Sequence, residues 1–136
     1  MDTPWDKQRP EPLPPIAHPE KQWIAGPWSP DGSMLTLCTC RSGGADESVI
    51  YNFRTHTYSE LHLATAYPAL WFSDHHRILT HGGETIGIVD TLTNHSHTLF
   101  SVSPDGFGSV SAAPNDRTIY FTRVHRESDI WMMTLN

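Results

Sequence analysis

Several things are missing from this sequence, and each absence removes a class of function. Met1-Asp2-Thr3-Pro4-Trp5-Asp6 has neither the basic start nor the apolar stretch of a secretory leader. A cytoplasmic protein is therefore expected. No run approaches the ~18 apolar residues of a membrane helix, so no membrane partner is expected. Positive charge is scarce: nine Lys and Arg against fifteen Asp and Glu leave a formal charge of −6. That sign opposes non-specific contact with nucleic acid, which needs a basic surface. There are two cysteines, Cys38 and Cys40. A disulfide across that i,i+2 spacing would be strained, and the Cys-x-x-Cys spacing of zinc sites is absent. Buried, reduced thiols on one face of a strand are expected instead. Neither Gly-x-Gly-x-x-Gly nor Gly-x-x-x-x-Gly-Lys occurs, and no Gly-x-Ser-x-Gly elbow presents a nucleophilic serine. No cofactor is expected. Helical periodicity is also lacking, and eleven prolines and nine glycines break the chain too often for long helices.

What remains is a β pattern with a repeat. Trp28-Ser29-Pro30-Asp31-Gly32 precedes the apolar run Met34-Leu35-Thr36-Leu37-Cys38. Pro30 presets its φ and Gly32 supplies a positive φ, so the stretch reads as a tight turn between two strands. Trp71-Phe72-Ser73-Asp74-His75 before Arg77-Ile78-Leu79-Thr80 echoes it, as does Ala112-Ala113-Pro114-Asn115-Asp116 before Arg117 to Thr122. Aligning Asp31, Asp74 and Asn115 gives spacings of 43 and 41 residues and superposes Leu35, Ile78 and Ile119. Short strands repeated every 40–45 residues or so predict β-propeller blades.

The expected organisation is all-β, with three four-stranded repeats. Residues 1–22 form a proline-rich arm, extended or unstructured, in which Leu13 and Ile16 could anchor along a sheet edge. Its Pro12-to-Pro15 spacing is too common in such composition to mark a recognition motif. A first blade covers 23–66, with strands near 24–29, 34–40, 48–53 and 57–63 and a loop at 41–47. A second covers 67–102, with strands at 69–72, 77–81, 85–90 and 97–101. A third covers 103–136, with strands at 109–112, 118–123 and 128–135, and its outer strand is missing. Trp28, Trp71, Tyr120 and Trp131 recur with the repeat and are expected to pack between blades. Asp31, Asp74 and Asp105 are expected first as turn formers.

Trp28-Ser29-Pro30-Asp31-Gly32 resembles the W-S-P-D-G signature of TolB-like propeller repeats, which also occurs in the propeller domains of prolyl oligopeptidase-type enzymes. Ser128-Asp129-Ile130-Trp131-Met132-Met133 is similar to the family's S-D-I-W-x-M strand. The likeness spans residues 24–136, but the second repeat has His75 where the pattern has Gly. It implies a propeller fold and no peptidase activity, because only the propeller part of those enzymes is matched.

Three blades cannot close a ring, since rings of four to eight or so blades are needed to cover every face and edge. A segment of a longer protein satisfies this rule, as does a homodimer closing six blades about a twofold axis. In the dimer, residues 11–18 could complete the partner's last sheet. The homodimer is the expected partnership.

Nine histidines supply the remaining candidate chemistry. His75, His76 and His81 flank one strand, and a metal there would need a further ligand such as His56, Asp74 or Glu84. Some pectate-degrading lyases with similar propellers hold a metal through histidines, so a metal-dependent lyase or hydrolase is the competing class. Neighbours on a strand point to opposite faces and chelate poorly. His95-Ser96-His97 is placed at a turn. Solvated loop histidines and no metal are therefore expected. The expected function is a non-enzymatic module binding a protein or small molecule through variable loops, with His75, His76, His81, Arg41, His125 and Arg126 as candidate contacts.

Overall fold

The structure, a computed structural model, describes residues 7–39, 47–63, 67–125 and 127. The expected contacts Arg41 and Arg126, the second thiol Cys40 and the strand carrying Trp131 lie outside the described residues. Every strand pairing is antiparallel and sequential. The first sheet holds β1 (Trp23–Trp28), β2 (Met34–Thr39), β3 (Ser48–Asn52) and β4 (Thr57–Glu60), in that order. The second repeats the plan with β5 (Tyr67–Trp71), β6 (Arg77–Gly82), β7 (Thr85–Asp90) and β8 (His95–Ser101). A two-stranded sheet follows, made of β9 (Gly106–Ala112) and β10 (Ile119–Val124). The strands β1, β5 and β9 neighbour one another, so the sheets fan out from a shared inner edge. This is a partial, unclosed β-propeller. Among the described residues no helix is long and apolar enough to cross a membrane.

The turn after each first strand explains why the fold repeats. Trp28 faces Leu35, Trp71 faces Ile78 and Ala112 faces Ile119 across the three hairpins. In every turn the same position takes a left-handed backbone: Gly32 at φ 69°, His75 at 66° and Asp116 at 57°. His75 therefore keeps the geometry of the glycine it replaces, at the steric cost an L-residue carries there. Asp31 fastens its turn by accepting from Ser29 Oγ at 2.7 Å and the Ser33 amide at 3.0 Å. Asp74 accepts from the amides of His76 and Arg77 at 3.1 and 2.9 Å, and Asn115 from the Arg117 amide at 3.0 Å. Gly26 is demanded for a different reason. A Cβ there would lie 2.6 Å from Thr36 Oγ1, where β1 bulges against β2.

Two apolar clusters join the sheets. Ile50 and Leu61 of the first repeat pack with Trp71, Ile78 and Val89 of the second. Trp71 Nε1 also donates to the Pro27 carbonyl at 3.1 Å. On its other face the second sheet presents Leu79 and Ile86 to Phe107, Val110, Ala112 and Ile119. Phe100, Phe107 and Phe121 close that seam, with ring centroids 5.0 to 5.6 Å apart.

Several expectations need correction. Trp28 and Tyr120 do not pack between blades: they are 53% and 62% exposed, whereas Trp71 is 7% exposed. Trp28 and Tyr120 lie on the two outward faces of the fan, against which no described sheet stands. The strand β4 ends at Glu60, because Leu61 and Leu63 turn in towards the second sheet. His95 to His97 belong to β8 rather than to a turn, and β9 begins at Gly106, well before Ser109.

Candidate functional site

The strand β6 separates the candidate histidines. His75 and His76 stand in the turn before it, and His81 stands near its far end, opposite Tyr67. Five residues at about 3.3 Å each put His76 and His81 about 16 Å apart along the strand. They do not form one site, so the geometry removes the ligand set of the competing metal-dependent enzyme. Among the described residues no group of three or more His, Cys, Asp and Glu is placed to hold a metal ion.

At the first end the charged groups serve the turns. His75 Nδ1 lies 4.0 Å from Asp31 Oδ1, and Arg54 Nη2 donates to Asp31 Oδ2 at 3.1 Å. The Ser29 hydroxyl, the Ser33 amide and hydroxyl, and Arg54 hold the Asp31 carboxyl far below the usual range. His76 sits between two carboxylates, 3.3 Å from Asp90 and 3.7 Å from Asp74. Burial alone would raise Asp74, but the Arg77 amide and guanidinium and the His76 amide outweigh it and bring Asp74 down to about 2. Ser73 donates to Asp116 through its amide at 2.8 Å and through its hydroxyl, tying the second turn to the third.

At the opposite end the candidate contact His125 belongs to an assembly whose other members sequence reading did not bring together. Asp105, read as a turn former, is 6% exposed and pairs with two basic side chains. Arg123 Nε donates to its Oδ2, and His125 Nδ1 lies 2.6 Å from its Oδ1. His125 Nε2 reaches Glu127 at 3.1 Å. The Asp105 carboxylate is the main reason His125 is raised above its ordinary value. His125 and then Arg123 in turn lower Asp105. On the neighbouring β6, burial lowers His81. The partners of Asp105 follow it by 18 and 20 residues, across the β9–β10 hairpin. Only the hairpin register could have revealed them.

A groove of about 560 Å³ lies between the N-terminal arm and the outward face of the first sheet, reaching β4 at one side. Ile16, His18, Trp23, Val49, Tyr58 and Glu60 are among its walls. Leu13 and Ile16 are half-buried, in keeping with the anchoring role read for them. Two aromatic tips hold the arm by its backbone. The Tyr58 hydroxyl donates to the Pro14 carbonyl at 2.7 Å, and Trp23 Nε1 to the His18 carbonyl at 3.2 Å. Neither bond depends on the side chain of the residue it grips. The arm runs through this contact without joining the sheet as a strand.

A protein described as TolB from Agrobacterium tumefaciens superposes with a TM-score of 0.61 at 17% identity, over 82% of this chain and 41% of that one. TolB from Acinetobacter baumannii gives 0.52 at 21% identity, over 72% of this chain and 25% of that one. The fold is a part of a TolB-like β-propeller. The chain thus spans about two-fifths of the first structure's length and a quarter of the second's. No protein-family model and no curated protein matches the sequence. The likeness shown is therefore one of fold.

Proposed function

We propose that this partial propeller is a non-enzymatic protein-interaction module whose ligand is an extended, proline-containing segment of another protein. Its seat is the groove beside β4. The observation that carries this reading is the way Tyr58 and Trp23 already hold the arm, through carbonyls of an extended backbone. Aromatic walls with hydroxyl and indole N–H donors suit a polyproline-like ligand, which arrives with little conformational entropy to lose. The volume falls in the ordinary range of binding clefts, and β4 is the edge strand of its sheet among the described residues. On this reading the arm is a tethered occupant that an incoming segment displaces.

The test is fluorescence titration of the full chain with a synthetic peptide of residues 11–18. It is run on the natural sequence and on an Ile16→Asp variant whose arm is loosened. Tighter peptide binding by Ile16→Asp, weakened again by Tyr58→Phe, is the expected result. Equal and negligible binding by all three proteins would contradict the reading.

A further inference from the structure

The arm shows which side chains the groove takes in. Of residues 7–20 only Leu13 and Ile16 are half-buried, and every other one is exposed, Pro10, Pro12, Pro14 and Pro15 included. A proline ring fixes its own φ at about −65°. The residues before these prolines, Arg9, Glu11, Leu13 and Pro14, are pushed towards the same extended region. Residues 9–15 therefore favour a polyproline II helix, which turns once in about three residues. Leu13 and Ile16 are three positions apart, so they share one face of it. Such a helix leaves its carbonyls without internal partners, and the Pro14 carbonyl between the two accepts from the Tyr58 hydroxyl at 2.7 Å. Ile16 is itself a wall of the groove. The extended stretch ends at His18, where a φ of 60° turns the chain and the Lys21 amide donates to the His18 carbonyl at 3.1 Å.

We infer that the groove selects a segment of the form aliphatic–Pro–x–aliphatic, by two aliphatic side chains on one face of a polyproline helix. This names the class of ligand and rests on the groove being the ligand's seat. The prolines set the shape and stay in water, while the aliphatic pair and the carbonyl after the first of them make the contact. The exposure of Pro14 and Pro15 separates this from capture of proline rings by the aromatic walls. A proline-rich segment without the pair has the shape and lacks the contact. A pair spaced by two turns one of its side chains away from the sheet.

Titration of the full chain carrying Ile16→Asp, whose groove is freed, with peptides of residues 11–18 tests this. Circular dichroism shows that the variant is folded. The natural peptide should bind. Peptides with Leu13→Asp or Ile16→Asp should bind about tenfold more weakly or worse. So should the peptide that exchanges residues 13 and 14 (Leu13→Pro with Pro14→Leu), which keeps the composition and changes only the spacing. Pro12→Ala and Pro15→Ala, which relax the shape alone, should cost about fivefold at most. In the natural chain, Leu13→Asp should shift the NMR signals of the Tyr58 amide and the Trp23 indole as Ile16→Asp does, and Glu11→Ala should not. Peptides that bind equally whatever the spacing of the pair overturn the inference, and so does a chain in which Leu13→Asp leaves those signals in place. Should no peptide bind while Leu13→Asp shifts the signals, the proposed function fails and selection by the pair stands for the arm alone.

Discussion

Trp28 and Trp71 hold the same place in successive hairpins, yet one is half in solvent and the other is buried. Nothing local separates them, since each ends the first strand of its sheet and faces a β-branched or γ-branched aliphatic residue across the turn. The difference is the neighbour. Trp71 has the first sheet to lie on and a carbonyl to bond, while Trp28 has Phe53. In a propeller a residue's burial belongs to the pair of sheets, and the second sheet is the only described one with another sheet against each face.

The largest way to break this comparison is Trp71→Ala. Truncating a buried aromatic costs about 3–5 kcal/mol, here with the loss of the bond to Pro27 as well. Urea unfolding at low protein concentration should show that loss, against a change of less than about 1 kcal/mol for Trp28→Ala. Near-equal losses would mean that the two faces are not different in kind.

A smaller effect compares the turns. Gly32 and His75 share a left-handed backbone, so Gly32→Ala should destabilise by about 1 kcal/mol, and His75→Gly should stabilise by up to about 1 kcal/mol. The gain from His75→Gly is reduced by the 4.0 Å contact with Asp31 that it gives up. Thermal denaturation of the two variants measures both signs. A destabilising His75→Gly would show that the histidine contributes more than its backbone conformation costs.

The smallest effect concerns the far end. His125 is raised by Asp105, so that contribution to stability is complete below the imidazole's ordinary value of 6.5 and fades as pH rises through the raised folded value. Asp105 is lowered, so its contribution holds above the ordinary value of 3.8 and is lost as pH falls towards the lowered one. The pair therefore stabilises between those limits. An NMR titration should place His125 above 6.5 in the natural chain and return it towards 6.5 in Asp105→Asn. An unchanged midpoint would break the assignment.

Much of the architecture was legible because it is written locally. Pro30-Asp31-Gly32 fixes a turn by its own chemistry, and its recurrence at regular spacing sets the hairpin register. In the later repeats His75 and Asp116 obscured the signal, since polar L-residues tolerate the left-handed region that glycine advertises. The exposure of Trp28 and Tyr120 was not legible, because it depends on which sheets stand beside them. The same holds for Asp105, whose basic partners lie on and just after the next strand, and for the arm, whose grip on Tyr58 joins residues 44 positions apart. His76 and His81, five residues apart in sequence, are held at opposite ends of β6, a separation that the strand geometry sets.

Hydrogen exchange at single-residue resolution, on dilute protein, tests the central claim that each sheet is held by the sheets beside it. The amides of Leu79, Ile86 and Val89, in the sheet covered on both faces, should exchange slowest. Those of β1 should be faster, and those of β9 and β10 faster again. Uniform protection across all three sheets, or slowest exchange in β9 and β10, would contradict the account.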